Sequence, residues 1–119
     1  MLTEKPYARN RTEAAHVADL ASAQGVTVME GFHYLFHPLT RRAFELADDG
    51  SLGELTHVEV RMGMPAPPPE DPRWSLELAG GALMDLGCYG LHVMRRFGAP
   101  RVVGATAGHC EHAGPDVDA

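Results

Sequence analysis

Residues 80–92 read Gly80-Gly81-Ala82-Leu83-Met84-Asp85-Leu86-Gly87-Cys88-Tyr89-Gly90-Leu91-His92, two glycines followed by apolar residues at helical spacing. Asp85, Tyr89 and His92 stand at positions i, i+4 and i+7, so a helix places their side chains on one face. A carboxylate, a phenol and an imidazole are the groups that a proton-transfer site needs. We therefore expect a helix over residues 82–97 with a functional polar stripe; solvated or packing polar groups are the alternative explanation.

Turn and capping residues divide the rest of the chain into short elements. Asn10, followed by Glu13, is typical of a helix start, and Pro38 suits the first turn of a second helix. Gly25 and Gly50 are expected to end these two helices. Strands are predicted over residues 26–34, 55–64 and 101–107, and the second is expected to be antiparallel because its apolar and polar residues alternate.

Composition restricts the classes of partner. The chain has 119 residues, enough for one small domain, and a net charge of −6. That charge argues against nucleic acid, because no basic block is present to meet phosphates, and favours a small metabolite. The two cysteines form no CxxC pair, and no apolar run approaches the length of a membrane span. We expect a soluble cytoplasmic protein without a membrane partner.

The charged segment Thr3-Glu4-Lys5-Pro6 allows two interpretations. The plain one is a charged loop that precedes a helix. In the functional one, the Lys5 ammonium lies beside a substrate hydroxyl and stabilises its oxyanion as hydride leaves the same carbon. Pro6 would then fix the conformation of the loop.

Three motifs together resemble one family. They are Glu4-Lys5-Pro6, Met29-Glu30-Gly31-Phe32-His33-Tyr34-Leu35-Phe36-His37-Pro38, and Gly80 through Tyr89. Their order and spacing resemble the Gfo/Idh/MocA oxidoreductases, above all the branch with glucose–fructose oxidoreductase, dimeric dihydrodiol dehydrogenase and xylose dehydrogenase. The likeness covers nearly the whole chain and weakens after residue 107. It is specific for the superfamily and much less so for the substrate.

The resemblance implies an α/β (α+β) fold in two parts. Residues 1–34 would be the closing elements of a Rossmann domain that binds NAD or NADP. Residues 35–119 would begin an α+β substrate domain with an open, mainly antiparallel sheet, through which the protein could form a homo-oligomer. The implied substrate is a sugar or polyol.

The resemblance also implies roles for individual residues. Lys5, Asp85 and Tyr89 would be catalytic, with Tyr89 as the acid/base residue one helical turn after Asp85. Cofactor binding would fall to Glu4, Lys5 and Pro6. Substrate binding would fall to Lys5, Arg73, Trp74, Asp85 and Tyr89. The resemblance assigns no settled role to His92, for which ring packing and substrate contact are the two alternatives.

Two departures from the family pattern limit these expectations. Leu35 stands where many relatives carry arginine, and the chain contains no GxGxxG motif to cradle a pyrophosphate. We therefore expect a fragment that lacks most of the Rossmann domain and, alone, binds neither NAD nor NADP well. The alternative is a non-catalytic assembly piece that pairs by its sheet edge with another subunit. No metal site is expected, because the spacing of His109, Cys110, Glu111 and His112 matches no standard ligand set.

Overall fold

A computed structural model of the chain describes residues 1–108. Its elements, in chain order, are β1 (Leu2–Thr3), α1 (Arg11–Ala23), β2 (Met29–Glu30), a 3-10 turn (His33–Phe36), α2 (Pro38–Asp48), a second 3-10 turn (Pro72–Trp74), a π-helical turn (Leu83–Gly87) and α3 (Cys88–Arg96). The α/β class expected from the sequence is confirmed. Within residues 1–108, no helix is long and apolar enough to cross a membrane.

A small β-α-β unit opens the chain. β1 and β2 pair in parallel, with Leu2 opposite Met29 and Thr3 opposite Glu30, and α1 connects them. The Asn10 side chain accepts a hydrogen bond from the Glu13 amide at 3.0 Å, so the predicted start of α1 is confirmed. Gly25 follows the helix with φ +61°, a conformation that side-chain-bearing residues rarely adopt.

The second predicted helix is also confirmed. α2 begins at Pro38, and the ring nitrogen Nδ1 of His37 accepts a hydrogen bond from the Leu39 amide at 3.1 Å. Proline suits this position because the first amides of a helix have no partner within it. Gly50, with φ +78°, lies just beyond the end of the helix.

The strands differ from the prediction. Residues 2–3 pair as β1 where a loop was expected, and the strand predicted over 26–34 is paired only at Met29–Glu30 before the 3-10 turn begins. In the described part of the chain, neither 55–64 nor 101–107 forms a strand, and the single sheet is parallel. The expectation of a mainly antiparallel sheet is therefore wrong for residues 1–108. Alternation shows which face of a segment is apolar, but a strand also needs a neighbour for its ladder of hydrogen bonds.

The helix predicted over residues 82–97 is confirmed, with one local change. Its first turn, Leu83–Gly87, is π-helical, and α3 continues from it without a break to Arg96. A π-helical turn is wider than an α-helical turn and shifts the angular positions of its side chains. Asp85 lies within this widened turn, so its direction differs from that of a regular i, i+4 neighbour of Tyr89.

Aromatic rings join the segment after β2 to α3. Phe32, the buried apolar side chain of the described residues, is only 5% exposed. Its ring stacks on the His92 ring with centroids 4.1 Å apart and meets the Tyr89 ring edge-on at 5.4 Å. The segment after β2 is thereby held against α3. The predicted division of the chain at residues 34 and 35 lies beside this contact and stays a prediction.

Candidate active site

Lys5 and Asp85 are in direct contact. The Lys5 ammonium donates to the Asp85 Oδ1 atom at 2.8 Å and to the Asp85 main-chain carbonyl at 2.5 Å. Both side chains are largely shielded, at 17% and 20% exposure, which strengthens the attraction between their charges. The cation also lies 5.0 Å from the centroid of the Tyr89 ring. The peptide bond between Lys5 and Pro6 is cis.

A second cation binds the other oxygen of the same carboxylate. The Arg73 Nε atom lies 3.1 Å from Asp85 Oδ2, and the Arg73 Nη1 atom lies 3.0 and 3.2 Å from the two Asp71 carboxylate oxygens. Asp85 is thus held between Lys5 and Arg73. Within residues 1–108, Asp85 makes no hydrogen bond to the Tyr89 hydroxyl, so its contacts favour an action on Lys5 over an action on Tyr89.

Gly80 and Gly81 fasten the loop that carries Arg73 to the start of this helix. The Gly81 amide donates to the Arg73 carbonyl at 2.8 Å, and the Gly80 amide donates to the Ser75 carbonyl at 2.7 Å. A Cβ atom added at Gly80 would lie 2.4 Å from the Arg73 carbonyl oxygen. The two glycines therefore allow a close approach of the chain's own backbone.

Tyr89 and His92 lie in one aromatic cluster with Phe32 and Tyr34. The Tyr34 hydroxyl and the His92 Nδ1 atom are 2.6 Å apart, and the Tyr34 and Tyr89 ring centroids are 5.9 Å apart. Burial raises the pKa of the Tyr34 phenol, which keeps its proton in place. Tyr34 donates this hydrogen bond when His92 Nδ1 is unprotonated, and accepts it when Nδ1 carries the proton.

Two clefts flank the Asp85 carboxylate. Glu4, Lys5 and Pro6 line a charged cleft of about 360 Å³ together with Arg73 and Asp85. Trp74 lines a mainly apolar cleft of about 230 Å³ on the other side, where its indole nitrogen donates to the Pro68 carbonyl at 2.9 Å. The first cleft brings together the residues predicted to bind cofactor, and the second holds the tryptophan predicted to bind substrate.

Cys88 is a shielded thiol beside this site. Desolvation raises the pKa of its thiol, while the positive charge of Lys5 opposes that shift. Its Sγ atom lies 3.8 Å from the Asp85 carbonyl. A thiol that retains its proton is a weak nucleophile.

Sequence reasoning found most of this cluster and missed three members. It named Lys5, Arg73, Asp85, Tyr89 and His92, which the structure gathers around α3 and the turn before it. It did not single out Asp71, Phe32 or Tyr34. The run Phe32-His33-Tyr34 directly after a strand is a usable signal, because aromatic residues at a strand end often line a site, whereas Asp71 carries no comparable signal.

No metal centre is evident in the described residues. Among residues 1–108, no group of three His, Cys, Asp or Glu side chains is placed to hold a metal ion. Residues 109–112, which were considered as ligands, lie outside the described residues. The roles predicted for the site residues stay predictions, since geometry alone does not test them.

Comparison with known proteins identifies the lineage. Residues 40–119 match the family model described as the GFO/IDH/MocA C-terminal domain. The chain is 41% identical over 118 residues to D-xylose 1-dehydrogenase (NADP(+)) 2 of Haloferax volcanii, a match that covers 98% of this chain and 36% of the relative. No solved structure matches the chain.

Other relatives act on different molecules. A dTDP-3,4-didehydro-2,6-dideoxy-alpha-D-glucose 3-reductase of Saccharopolyspora spinosa is 31% identical over 119 residues, which is 98% of this chain and 36% of that protein. A trans-1,2-dihydrobenzene-1,2-diol dehydrogenase of Xenopus laevis is 32% identical over 90 residues, covering 75% of this chain and 27% of that protein. The chain thus spans about a third of the length of the curated relatives that it matches. All three relatives are named as dehydrogenases or reductases, which are oxidoreductases.

Proposed function

This chain belongs to the Gfo/Idh/MocA family, and we propose that it carries the proton-transfer and substrate-binding part of an NAD(P)-dependent oxidoreductase for a sugar or polyol. The observation that carries the proposal is the shielded Lys5–Asp85 pair beside the Tyr89 ring. The names of the relatives support the class, since they include an NADP(+)-dependent xylose dehydrogenase and a deoxysugar reductase.

The geometry supports a defined task for Lys5. An ammonium group has three donor protons, and Lys5 directs two hydrogen bonds at Asp85, one to Oδ1 and one to the main-chain carbonyl. The remaining proton is available for the oxygen of a substrate alcohol or ketone. Such a fixed donor stabilises the negative charge that develops on this oxygen as the carbon gains or loses hydride.

Tyr89 is the proposed acid/base residue. Its ring is held at defined angles by Phe32 and Tyr34, and the cation of Lys5 lies over its face. A positioned phenol next to a cation can give a proton to the substrate oxygen or take one from it. His92 stacks on Phe32 and so supports the aromatic cluster that holds Tyr89. Trp74 and Arg73 border the proposed substrate side of the site.

The residues at the charged cleft fit the reacting end of a nicotinamide cofactor. Glu4, Lys5 and Pro6 line this cleft with Asp85, where a planar ring could meet a substrate carbon. The cofactor, when bound, supplies or accepts the hydride. The 119-residue sequence contains no glycine fingerprint for the pyrophosphate, so we expect this chain alone to show little or no turnover.

A second candidate function, a non-catalytic assembly piece, rests on the exposed apolar side chains around α3. Leu83 is 64% exposed, Leu91 47% and Met62 47%, and all three border one open groove. An apolar surface of this kind is common where another protein or domain packs. Under this alternative the chain would associate through that surface without carrying out chemistry.

A segment exchange tests the proposal. This chain would replace the matching 36% of the Haloferax volcanii relative. The NADP(+)-dependent oxidation of xylose, other sugars and polyols would be followed by the absorbance of NADPH. We expect turnover that falls by about 10²- to 10⁴-fold in the Tyr89→Phe variant, because general acid–base catalysis contributes that much. Tyr7→Phe is the matched control.

The outcomes separate the two candidates. Turnover lost in Tyr89→Phe and kept in Tyr7→Phe supports the oxidoreductase. A folded exchange protein that binds NADP(+) but shows no turnover with any sugar or polyol would contradict it. Concentration-dependent self-association of the 119-residue chain in sedimentation, without turnover in the exchange protein, would favour the assembly function.

A further inference from the structure

We propose that Arg73 is a positioning residue for Lys5, acting through the Asp85 carboxylate, rather than a group that binds substrate. The inference rests on the proposed function for its kinetic consequence. Its structural core does not depend on activity, because it concerns three side chains whose contacts are observed directly. The expected loss of Lys5 order on removing Arg73 can therefore be measured even if the oxidoreductase proposal fails.

The first argument is the sharing of one carboxylate. Oδ1 of Asp85 lies 2.8 Å from Lys5 Nζ, and Oδ2 lies 3.1 Å from Arg73 Nε. Two cations on opposite oxygens fix the rotation of the carboxylate, whereas one cation would leave it free to turn. The position of the Asp85 Oδ1 atom relative to Lys5 thus depends on Arg73.

The second argument is that Arg73 is itself firmly held. Asp71 binds its Nη1 atom with both carboxylate oxygens, and the Asp71 Oδ1 atom also accepts from the Arg73 amide at 2.9 Å. The Arg73 carbonyl accepts from Gly81, in the segment that leads into the helical turn of Asp85. Main chain and side chain of Arg73 are therefore both tied to the helix that carries its partner.

The third argument is the exposure of the three groups. The side chain of Arg73 is 48% exposed, whereas those of Lys5 and Asp85 are 17% and 20% exposed. Arg73 covers the outer side of the carboxylate and leaves the inner side to Lys5. With Nε on Asp85 and Nη1 on Asp71, two of the three guanidinium nitrogens are already paired, which leaves only Nη2 for a substrate.

The balance of charges around Asp85 also supports a positioning role for Arg73. Lys5 and Arg73 carry two positive charges against the two negative charges of Asp71 and Asp85. Without Arg73, Asp71 would lose its ion-pair partner, and Asp85 would lose the contact that fixes its rotation. Lys5 would then follow a mobile partner and point at the substrate oxygen for a smaller fraction of the time.

The sequence offers a direct probe, because Lys5 is its only lysine. Chain grown with lysine labelled with ¹³C at Cε and ¹⁵N at Nζ gives one side-chain signal, and its relaxation reports the order of the ammonium group. We expect an ordered group in the wild-type chain and a clear loss of order in Arg73→Gln. Arg61→Gln is the matched control, since Arg61 pairs with Glu59 on an exposed segment.

A Lys5 signal that is as ordered in Arg73→Gln as in the wild-type chain would overturn the proposal. If Arg73→Gln unfolds the chain, Arg73→Lys decides, because lysine lacks the fork that contacts Asp85 and Asp71 together. A Lys5 that is less ordered than in the wild-type chain supports the proposal, and an equally ordered Lys5 overturns it. The second lysine signal in that variant is assigned from the Lys5→Arg, Arg73→Lys double variant.

Kinetics in the exchange protein separate positioning from substrate binding. We expect kcat to fall by about tenfold to a hundredfold in Arg73→Gln with KM nearly unchanged, since misplacing a reacting group by an ångström costs up to about 10²-fold. Arg73→Lys should recover part of kcat. A raised KM at unchanged kcat would contradict the proposal and return Arg73 to substrate binding.

Discussion

The Lys5 ammonium donates to Asp85 twice, at 2.8 Å to a carboxylate oxygen and at 2.5 Å to the main-chain carbonyl. One contact depends on the side chain of Asp85 and the other does not. The pair therefore provides both a charge and a fixed anchor. Mutation of Asp85 removes only the first of these, which makes the contribution of the charge measurable.

We expect Asp85→Asn to retain the fold and lower turnover of the exchange protein by about 10²- to 10³-fold, a size typical of one lost electrostatic contact at a reacting oxygen. The main-chain contact to Lys5 remains, so KM should change little. Steady-state kinetics measure both constants. Asp48→Asn is the control, because Asp48 pairs with Arg96 on the surface; equal losses in the two variants would contradict the role of Asp85.

Gly80→Ala should destabilise the chain strongly. The added Cβ atom would lie 2.4 Å from the Arg73 carbonyl oxygen and 2.7 Å from that of Ser75, and both are main-chain atoms that cannot rotate away. We expect a fall in unfolding free energy of about 1–3 kcal/mol, as for overpacked sites. Urea unfolding measures it.

The matched control for this change is Gly63→Ala, where nothing lies within 4 Å of the added atom. That variant should be neutral or more stable by about 0.4–1 kcal/mol, through the reduced freedom of the unfolded chain. If both alanine variants unfold at the same urea concentration, the contact between Gly80 and residues 73–75 does not contribute as described.

Phe32→Ala should lower the unfolding free energy by about 3–5 kcal/mol, the usual range for a buried phenylalanine. Phe32 is 5% exposed and its ring contacts Tyr34, Tyr89 and His92, so its loss leaves a cavity at the centre of the aromatic cluster. Phe36, at 57% exposure, is the control. Thermal unfolding of the two alanine variants should show a much larger shift for Phe32; equal shifts would argue against a buried cluster.

Tyr34 makes the unfolding free energy of the chain depend on pH in alkaline solution. Burial raises the pKa of its phenol above the ordinary value, so the folded state holds the proton more tightly than the unfolded state does. This contribution to stability is complete below the ordinary tyrosine pKa of about 10 and is lost as the pH rises through the raised value. Unfolding free energy should therefore fall above about pH 10.

The titration can be followed by phenolate absorbance at high pH. The chain has three tyrosines, and Tyr34→Phe should remove the late step, which occurs above the ordinary pKa of a phenol. The alkaline loss of stability should also be smaller in Tyr34→Phe. An unchanged late step in that variant would show that another phenol titrates there.

Local chemistry explains which parts of the fold could be predicted from the sequence. Asn10 with Glu13, and Pro38 at a helix start, act on residues within one turn, so α1 and α2 followed from the pattern. The alternation of residues 55–64 describes one face of one segment and contains no information on a neighbour, so the predicted strand pairing failed. The apolar spacing also gave no indication that the turn at Leu83–Gly87 is π-helical.

The site divides in the same way. Resemblance linked Lys5 to Asp85 and Tyr89, and the structure brings these three together. The bond between Arg73 and Asp85 depends on the path of a proline-rich loop, which no periodic pattern describes. The contact of Phe32 with His92 likewise depends on the angle at which the chain leaves β2.

The sequence separation of the Lys5–Asp85 pair has a consequence for how the protein folds. These two residues are 80 positions apart, and the hydrogen bond between Tyr34 and His92 spans 58. Contacts that close long loops form slowly, since the chain between them must be ordered first. The helices can form early, whereas the charged pair exists only once the whole segment between its members is arranged. In a partly folded chain, Lys5 is therefore not yet held by Asp85. The order of the Lys5 ammonium group thus reports the completion of folding.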